Sequence, residues 1–168
     1  RVSELAVALA RDYGWNEVRL KEMEIACLFH DVGKLKISDA ILHKKGRLDP
    51  DEWTEMKKHP EYGAEILEKA PTLGKFIPAV RHHHEWYDGS GYPDGLSGDA
   101  IPLAAAMISL ADAYDAMMSD RPYRSAMSTE HVLQIIRENG GRQFHPDLTT
   151  IFLRIVERQL ERDDTASA

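Results

Sequence analysis

Hydrophobic residues recur every three or four positions along most of the chain, which is the period of an amphipathic helix. In the first predicted helix the apolar stripe contains Val2, Leu5 and Leu9, and Gly14 ends it. No stretch alternates apolar and polar residues as a half-buried strand does. The pattern therefore predicts an all-α fold, with a single compact domain of seven to eight helices. The predicted helices cover residues 2–13, 17–31, 49–59, 61–70, 73–85, 102–118, 128–140 and 146–161, with a short turn at 38–42 and a frayed tail after 161.

The helix expected to begin after Asp49 has the clearest start signal. Asp49 is a good N-cap, and a proline and two acids follow it in the first turn. This helix is expected to bury Trp53 and Met56. It should end near His59, because Pro60 disfavours a helical conformation in the residue before it.

The length, net charge and cysteine content of the chain limit which functions and cellular locations it could have. A chain of 168 residues is long enough for one domain with a buried core. The net charge of −7 argues against binding to DNA or to an anionic membrane surface. No apolar run approaches the roughly 20 residues of a membrane span, so no direct membrane insertion is expected. The single cysteine, Cys27, excludes an intrachain disulfide and fits a reducing, cytoplasmic location.

His30 and Asp31 are the first candidate site. They follow the apolar stripe of the second predicted helix, which includes Cys27. A single histidine on such a face is more often a core residue with a hydrogen-bond partner than a ligand. Asp31 changes that balance, because a buried carboxylate must be paired or bound to a metal. No arginine lies within a helical turn, and the nearest cation, Lys34, belongs to the following loop.

Three consecutive histidines at 82–84, followed by Glu85, form the second candidate site. An exposed histidine run is the alternative interpretation. This run, however, ends a predicted helix directly before a loop rich in glycine and proline, where successive side chains can enter a cleft. His59 by itself is a weak candidate, and the remaining histidines are assigned to the surface or to ordinary hydrogen bonds.

Asp112 and Asp115 form the third candidate site, on one face of the helix predicted over 102–118. A solvated face is the alternative interpretation. The helix is apolar on nearly all sides, so cations or hydrogen-bond donors are expected to face these acids.

These positions belong to longer motifs that occur in a fixed order. The motifs are HDVGK at 30–34, KKGRL at 44–48, HP at 59–60, HHE at 83–85, DGSGYP at 88–93 and the segment 112–124. Together they resemble the HD-GYP family, a branch of the HD metal-dependent phosphohydrolases. The resemblance covers almost the whole chain, whereas the His-Asp pair alone would carry no weight.

The resemblance implies an HD-type helical fold that binds two, or with a further acid three, divalent metals. Asp31 would be a catalytic residue that bridges two metals. Lys34 would be the second catalytic residue, because it would contact the scissile phosphate. The other metal ligands would be His30 and Asp112 at the first metal, and His59, His83 and His84 at the second. Imidazole and carboxylate donors without thiolate suit iron, manganese, nickel or zinc, of which iron or manganese is favoured.

The implied substrate is cyclic di-GMP, hydrolysed to linear pGpG, to GMP or to both. The residues implied to contact it are Gly91, Tyr92 and Pro93 in the loop, and Asp115, Arg121 and Arg124 beyond it. Loop glycines let backbone N–H groups approach phosphate oxygens, and a tyrosine face can stack on guanine. Arginine offers a bidentate fork to phosphate or guanine. His82 matches no ligand of the family.

The family pattern also extends beyond the sequence in hand. Its members carry a further histidine ligand, and an acid for a third metal, just upstream of an Arg-Val pair that matches Arg1 and Val2. The chain is therefore expected to be a fragment of a longer signalling protein, cut within its first helix. A sensor or receiver domain would precede it, and a homodimer is one option.

Two other functions compete with cyclic di-GMP hydrolysis. One is an HD phosphohydrolase that acts on another nucleotide or cyclic dinucleotide, since specificity loops diverge. The other is a catalytically silent domain that binds a ligand or a partner protein. The full set of candidate ligands argues against a silent domain, which has no physical need for it.

Overall fold

Helices make up the regular structure of the described residues, 1–120 and 125–166, in a computed structural model. Within these ranges there is no β-strand, only an isolated bridge between Gly140 and Phe144. The predicted all-α fold is confirmed, with eight described helices of six or more residues and one single-turn helix, α3. The helices are α1 (Val2–Asp12), α2 (Glu17–Phe29), α3 (Asp39–Leu42), α4 (Pro50–Met56), α5 (His59–Glu68), α6 (Ile77–His82), α7 (Leu103–Met118), α8 (Thr129–Glu138) and α9 (Pro146–Ala166). Shorter 3₁₀ turns cover Val32–Lys36, Pro71–Phe76 and Gly98–Ala100.

Side-chain hydrogen bonds cap α4 and α8 at the residues where the sequence predicted a helix to begin. Asp49 accepts a hydrogen bond from the N–H of Glu52, and the Glu52 side chain accepts one from the N–H of Asp49. This capping box satisfies two backbone donors that the first turn leaves without partners. At the start of α8 the Ser128 side chain accepts a single hydrogen bond, from the N–H of His131.

Helix α7 lies at the centre of the core, in contact with α1, α2, α6, α8 and α9. Ile108 and Ala111 of α7 are fully buried, as are Ala6 and Ala10 of α1. Small side chains on both helices allow a close approach, and Phe152 of α9 fills the space on another side. The central position of α7 fixes the direction in which its acidic residues point.

The turn over Val32–Lys36 packs directly on the backbone of α5. A Cβ atom at Gly33 would lie 1.8 Å from the carbonyl oxygen of His59 and 2.5 Å from the amide nitrogen of Gly63. Only glycine permits this approach, because both atoms belong to the backbone and cannot rotate away. The contact brings the end of α2 beside the start of α5.

Several predicted helix boundaries are corrected by the structure. The helix predicted over 17–31 ends at Phe29, because the chain tightens into the 3₁₀ turn that packs on α5. The helix predicted over 73–85 is divided into a 3₁₀ turn and α6, with Pro78 in the first turn of α6. His59 begins α5 rather than ending α4, since Pro60 is tolerated in a first helical turn. The tail expected to fray continues as helix to Ala166.

The predicted burial of Trp53 is wrong, because 49% of this residue is exposed. Helix α4 has only seven residues and no buried residue, so its apolar side chains cover the surface without entering the core. Over the part of the chain that the structure describes, no helix combines the length and the apolar character needed to cross a bilayer.

Candidate metal centre

Three helix ends bring the candidate histidines and Asp31 together. His30 and Asp31 follow α2, and His59 is the first residue of α5. His83 and His84 follow α6 directly. His59 and His83 are almost completely buried, with 2% and 0% exposed. The rings of His30 and His59 each lie with their centroid 5.3 Å from that of His83, so histidines from distant parts of the sequence are neighbours in space.

Backbone hydrogen bonds orient three of these rings in the same way. The Nδ1 atoms of His30, His59 and His83 lie 2.6, 2.9 and 2.7 Å from the carbonyl oxygen three residues earlier. A carbonyl oxygen only accepts hydrogen bonds, so each Nδ1 carries the proton and donates. In a neutral ring the other nitrogen, Nε2, then has a free lone pair, as in metal-ligating histidines.

The Nε2 atoms of His59 and His83 face each other. They are 3.3 Å apart, and ligand atoms of His59, His83 and His84 all lie within 4.8 Å of one another. The buried Nε2 of His30 makes no hydrogen bond to any residue that the structure describes. Facing lone pairs repel, and a buried acceptor without a partner is costly. A bound cation relieves both problems, so this group of histidines could hold a metal ion.

Burial keeps two of the histidines in the form that binds metals. It lowers the pKa of His83 well below the ordinary value, and the neighbouring histidines lower it further. Burial, followed by the charge of His59, lowers the pKa of His84 to about 3. Both rings are therefore neutral near pH 7, and neutral imidazole is the ligating form.

The carboxylate of Asp31 has nitrogen atoms of other side chains on two sides. Its Oδ1 is 3.3 Å from Nε2 of His59, whereas its Oδ2 is 3.5 Å from Nε2 of His30 and 2.6 Å from Nζ of Lys34. Oδ1 of Asp112 is 3.9 Å from Nε2 of His30. The two oxygens of one carboxylate thus face different histidines, an arrangement suited to a bridging ligand.

The electrostatic environment of Asp31 favours its ionised form. Burial alone would raise the pKa of Asp31, but its contacts with His59 and His30 and the hydrogen-bonded positive charge of Lys34 outweigh burial and hold the pKa well below its usual range. The negative carboxylate in turn favours any positive charge placed between it and the histidines.

The loop over 88–98 covers this cluster. The N–H of Tyr92 donates to the carbonyl oxygen of His84, and the two rings stack with centroids 5.0 Å apart. A Cβ atom at Gly91 would lie 2.2 Å from the amide nitrogen of Trp86, so glycine is required for this close fit. Gly91 and Tyr92, and with them Pro93, therefore lie beside the histidines.

Three of the predicted substrate contacts are farther away or outside the described residues. Asp115 lies one helical turn beyond Asp112, and its Oδ1 is 2.9 Å from Nε of Arg1. It borders a surface cleft between α1 and α2 rather than the histidines. Arg121 and Arg124 lie outside the described residues.

Sequence reasoning missed the role of Glu85 and Asp94. Glu85 is only 2% exposed and accepts the N–H groups of Asp94 and Leu96, at 2.7 and 3.1 Å. His82, which matched no family ligand, lies with Nε2 2.9 Å from Oδ2 of Asp94. The available signal was the position of Glu85 directly after the histidine run, where a buried carboxylate needs partners.

A family model described as an HD domain matches residues 1–148. The chain belongs to the HD domain family. The resemblance seen in the sequence is thereby confirmed.

Two curated relatives match most of this HD domain. It is 42% identical over 158 residues to the cyclic di-GMP phosphodiesterase response regulator RpfG of Xanthomonas campestris pv. campestris, covering 92% of this chain and 41% of RpfG. It is 40% identical over 157 residues to 3'3'-cGAMP-specific phosphodiesterase 2 of Vibrio cholerae serotype O1, covering 91% of this chain and 30% of that protein. The HD domain thus spans less than half the length of these relatives.

A solved structure supports the fold. The HD domain superposes on Bd1817, an HDG"Y"P protein from Bdellovibrio bacteriovorus, with a TM-score of 0.74 at 20% sequence identity. The match covers 93% of this chain and 50% of Bd1817. At this identity the likeness supports the helical fold alone.

Proposed function

We propose that this HD domain is a metal-dependent phosphodiesterase that hydrolyses cyclic di-GMP. The observation that carries the proposal is the carboxylate of Asp31, whose two oxygens face His59 on one side and His30 and Lys34 on the other. Such an arrangement supports two adjacent cations that share one ligand. It has no evident structural purpose in a domain that only binds a partner.

The proposed ligands divide into two groups that share Asp31. The first metal is held by His30, Asp31 and Asp112, and the second by Asp31, His59, His83 and His84. Iron or manganese is favoured, because the donors are imidazole and carboxylate without thiolate. When bound, such a pair of ions supplies an activated water near neutral pH and charge stabilisation for the phosphodiester.

Lys34 is proposed to bind the scissile phosphate. Its Nζ lies 2.6 Å from Asp31, and 37% of its side chain is exposed, so it contacts the metal ligands and can still reach a substrate. A lysine in this position adds positive charge where negative charge accumulates on the phosphoryl oxygens during the displacement.

The loop residues Gly91, Tyr92 and Pro93 are proposed to bind the nucleotide. Tyr92 stacks on His84 with an interplanar angle of 24°, and Nζ of Lys57 lies 6.0 Å from the centroid of the tyrosine ring. The loop therefore combines an aromatic surface and a nearby cation at the edge of the metal ligands. Asp115, Arg121 and Arg124 are assigned to the nucleotide by the family pattern alone.

A second cyclic dinucleotide is a specific alternative. The relative from Vibrio cholerae is named for 3'3'-cGAMP, and its identity to this chain, 40%, is close to the 42% of RpfG. The two substrates differ in one base and share both phosphodiester bonds. The metal ligands cannot distinguish them, so any preference must come from residues that contact the bases.

The whole protein is proposed to be longer and regulated. RpfG is named a response regulator, and the HD domain covers 41% of it. This supports an output domain that follows a receiver or sensor domain, with dimerisation as one means of control. The buried free thiol of Cys27 supports a reducing, cytoplasmic location.

The test is product analysis with protein loaded separately with iron(II) under anaerobic conditions or with manganese(II). Cyclic di-GMP, 3'3'-cGAMP and bis(p-nitrophenyl) phosphate are incubated with each form, and the products are separated by liquid chromatography. We expect metal-dependent formation of pGpG, GMP or both from cyclic di-GMP, abolished by a chelator. If only 3'3'-cGAMP is hydrolysed, the proposed substrate is 3'3'-cGAMP and not cyclic di-GMP. Full metal content without turnover of any cyclic dinucleotide would favour a silent binding domain.

A further inference from the structure

A second cluster of potential ligands lies beside the metal centre, formed by His82, Glu85 and Asp94. Their ligand atoms lie within 4.8 Å of one another, as those of the histidine cluster do. Both oxygens of Glu85, however, already accept backbone N–H groups. Both oxygens of Asp94 accept from the guanidinium of Arg81, at 2.8 and 2.7 Å. A cation placed here would have to displace an arginine, so the cluster is not suited to a metal.

The contacts between Arg81 and Asp94 connect α6 to the loop over 88–98. Arg81 is in α6, and it holds the carboxylate of Asp94 through two parallel hydrogen bonds, the strongest geometry for this pair. The hydrogen bonds from the Arg81 guanidinium lower the pKa of Asp94 to about 2. Burial raises this pKa, but the contact with His82 lowers it further. Asp94 is therefore ionised near pH 7, and the pair keeps its charges.

His82 completes the link from the other side. Its Nδ1 lies 2.9 Å from the carbonyl oxygen of Pro78, and its Nε2 lies 2.9 Å from Oδ2 of Asp94. Only 15% of the His82 side chain is exposed, so water competes weakly for this contact. We call Arg81, His82 and Asp94 the loop clamp.

The loop clamp acts on the residue that lies over the metal ligands. Asp94 is fixed at its backbone by Glu85 and at its side chain by the clamp. Only Pro93 separates it from Tyr92, and the fixed φ of proline allows little adjustment between the two. A displacement of Asp94 must therefore reach Tyr92, whose ring stacks on His84.

We propose that Arg81, His82 and Asp94 are positioning residues that hold the loop over 88–98 on the histidine cluster and thereby set the affinity for the cyclic dinucleotide. The substrate in this statement rests on the proposed function. The ordering of the loop does not, because it can be measured without turnover.

The experiment compares Arg81→Ala, His82→Ala and Asp94→Ala with wild-type holoprotein. Arg81→Lys and Asp94→Asn are the conservative variants, since they retain the charge or an acceptor. Arg137→Ala is the matched control, because it removes an arginine–carboxylate contact of 3.2 Å to Glu157 that joins α8 to α9. Three quantities are measured: amide hydrogen exchange in peptides that cover 89–98, metal content per chain, and KM and kcat for cyclic di-GMP and bis(p-nitrophenyl) phosphate.

The three alanine variants should exchange the loop amides at least about tenfold faster, with metal content unchanged. KM for cyclic di-GMP should rise about tenfold, equivalent to about 1.4 kcal/mol of binding. The kcat for both substrates should stay within about twofold, because an open loop leaves the metal ligands in place. Arg81→Lys and Asp94→Asn should recover part of both effects, and Arg137→Ala should show neither.

Three results would overturn the proposal. The first is wild-type exchange of the loop in all three alanine variants. The second is faster exchange with an unchanged KM, which would show that loop position does not set affinity. The third is loss of a metal from His82→Ala, which would make His82 a ligand. Wild-type holoprotein that hydrolyses bis(p-nitrophenyl) phosphate but no cyclic dinucleotide would instead reject the substrate in the proposed function, and exchange rates would still decide whether the clamp orders the loop.

Discussion

The contact between Gly33 and α5 provides a quantitative prediction about both stability and the metal centre. In Gly33→Ala the new methyl carbon would lie 1.8 Å from the carbonyl oxygen of His59 and 2.5 Å from the amide nitrogen of Gly63. Carbon atoms pack favourably at about 3.5–4.0 Å, so the turn must retreat from α5 by more than about 1 Å. No side-chain rotation can relieve the clash, because both contacted atoms belong to the backbone. Overpacking of a core typically costs about 1–3 kcal/mol, and we expect the upper end of this range or more here.

The same retreat should weaken metal binding. It separates Asp31 from His59, whose ligand atoms are 3.3 Å apart in the wild type. Urea denaturation of the metal-free protein measures the loss of stability, and elemental analysis of the reconstituted protein measures metals per chain. We expect a lower denaturation midpoint and a metal content below that of the wild type.

Gly74→Ala is the matched control for Gly33→Ala. A Cβ atom at Gly74 meets no atom within 4 Å, and the residue lies in a 3₁₀ turn without a left-handed backbone. This substitution should be neutral, or stabilising by up to about 1 kcal/mol, because alanine restricts the unfolded chain. A Gly33→Ala protein with the wild-type midpoint and full metal content would refute the argument that close packing of this turn on α5 builds the site.

Further predictions concern individual residues of the site. His83→Ala and His84→Ala should each lose about one metal per chain in elemental analysis, whereas His82→Ala should lose none; an essential His82 would show that the ligands of the histidine run are assigned wrongly. Arg121→Ala and Arg124→Ala should raise KM for cyclic di-GMP more than for a small phosphodiester, since each charge-assisted contact is worth about 1.5–3 kcal/mol; equal damage to both substrates would place these arginines in folding. Burial, and then the neighbouring histidines, lowers the pKa of His83 and of His84, the latter to about 3. The unfolded chain, with histidine pKa values near 6.5, therefore binds more protons below that pH. The free energy of unfolding of the metal-free protein should fall as pH drops from about 6.5 towards 3, approaching about 1.4 kcal/mol per pH unit for each histidine. A flat pH profile of urea midpoints between pH 7 and pH 5 would contradict this.

The local parts of the fold could be predicted from the sequence. Asp49 and Ser128 mark helix starts through a chemical preference that acts over three residues, and both starts are confirmed. Trp53 was misplaced because periodicity reports which residues share a face, not whether another element covers that face. The division of 73–85 into two segments likewise depends on packing that no local pattern contains.

The convergence of the candidate ligands depended on more than local patterns. Spacing alone suggested that His30 and Asp31 lie together, but nothing in it brings His59 to within 3.3 Å of His83. That juxtaposition was expected only from the resemblance to a known family. The contacts of Glu85 were missed for a related reason, since a carboxylate that accepts backbone N–H groups leaves no charge partner visible in the sequence.

Counting metals in the wild type and in Asp31→Asn tests the central claim most directly. The substitution preserves the shape of the side chain and removes the charge that would hold two cations together. We expect two or more metals per wild-type chain. In Asp31→Asn we expect loss of both metals and of cyclic di-GMP hydrolysis, with the helical circular dichroism spectrum unchanged. Wild-type metal content and turnover in Asp31→Asn would contradict a metal centre joined by this carboxylate.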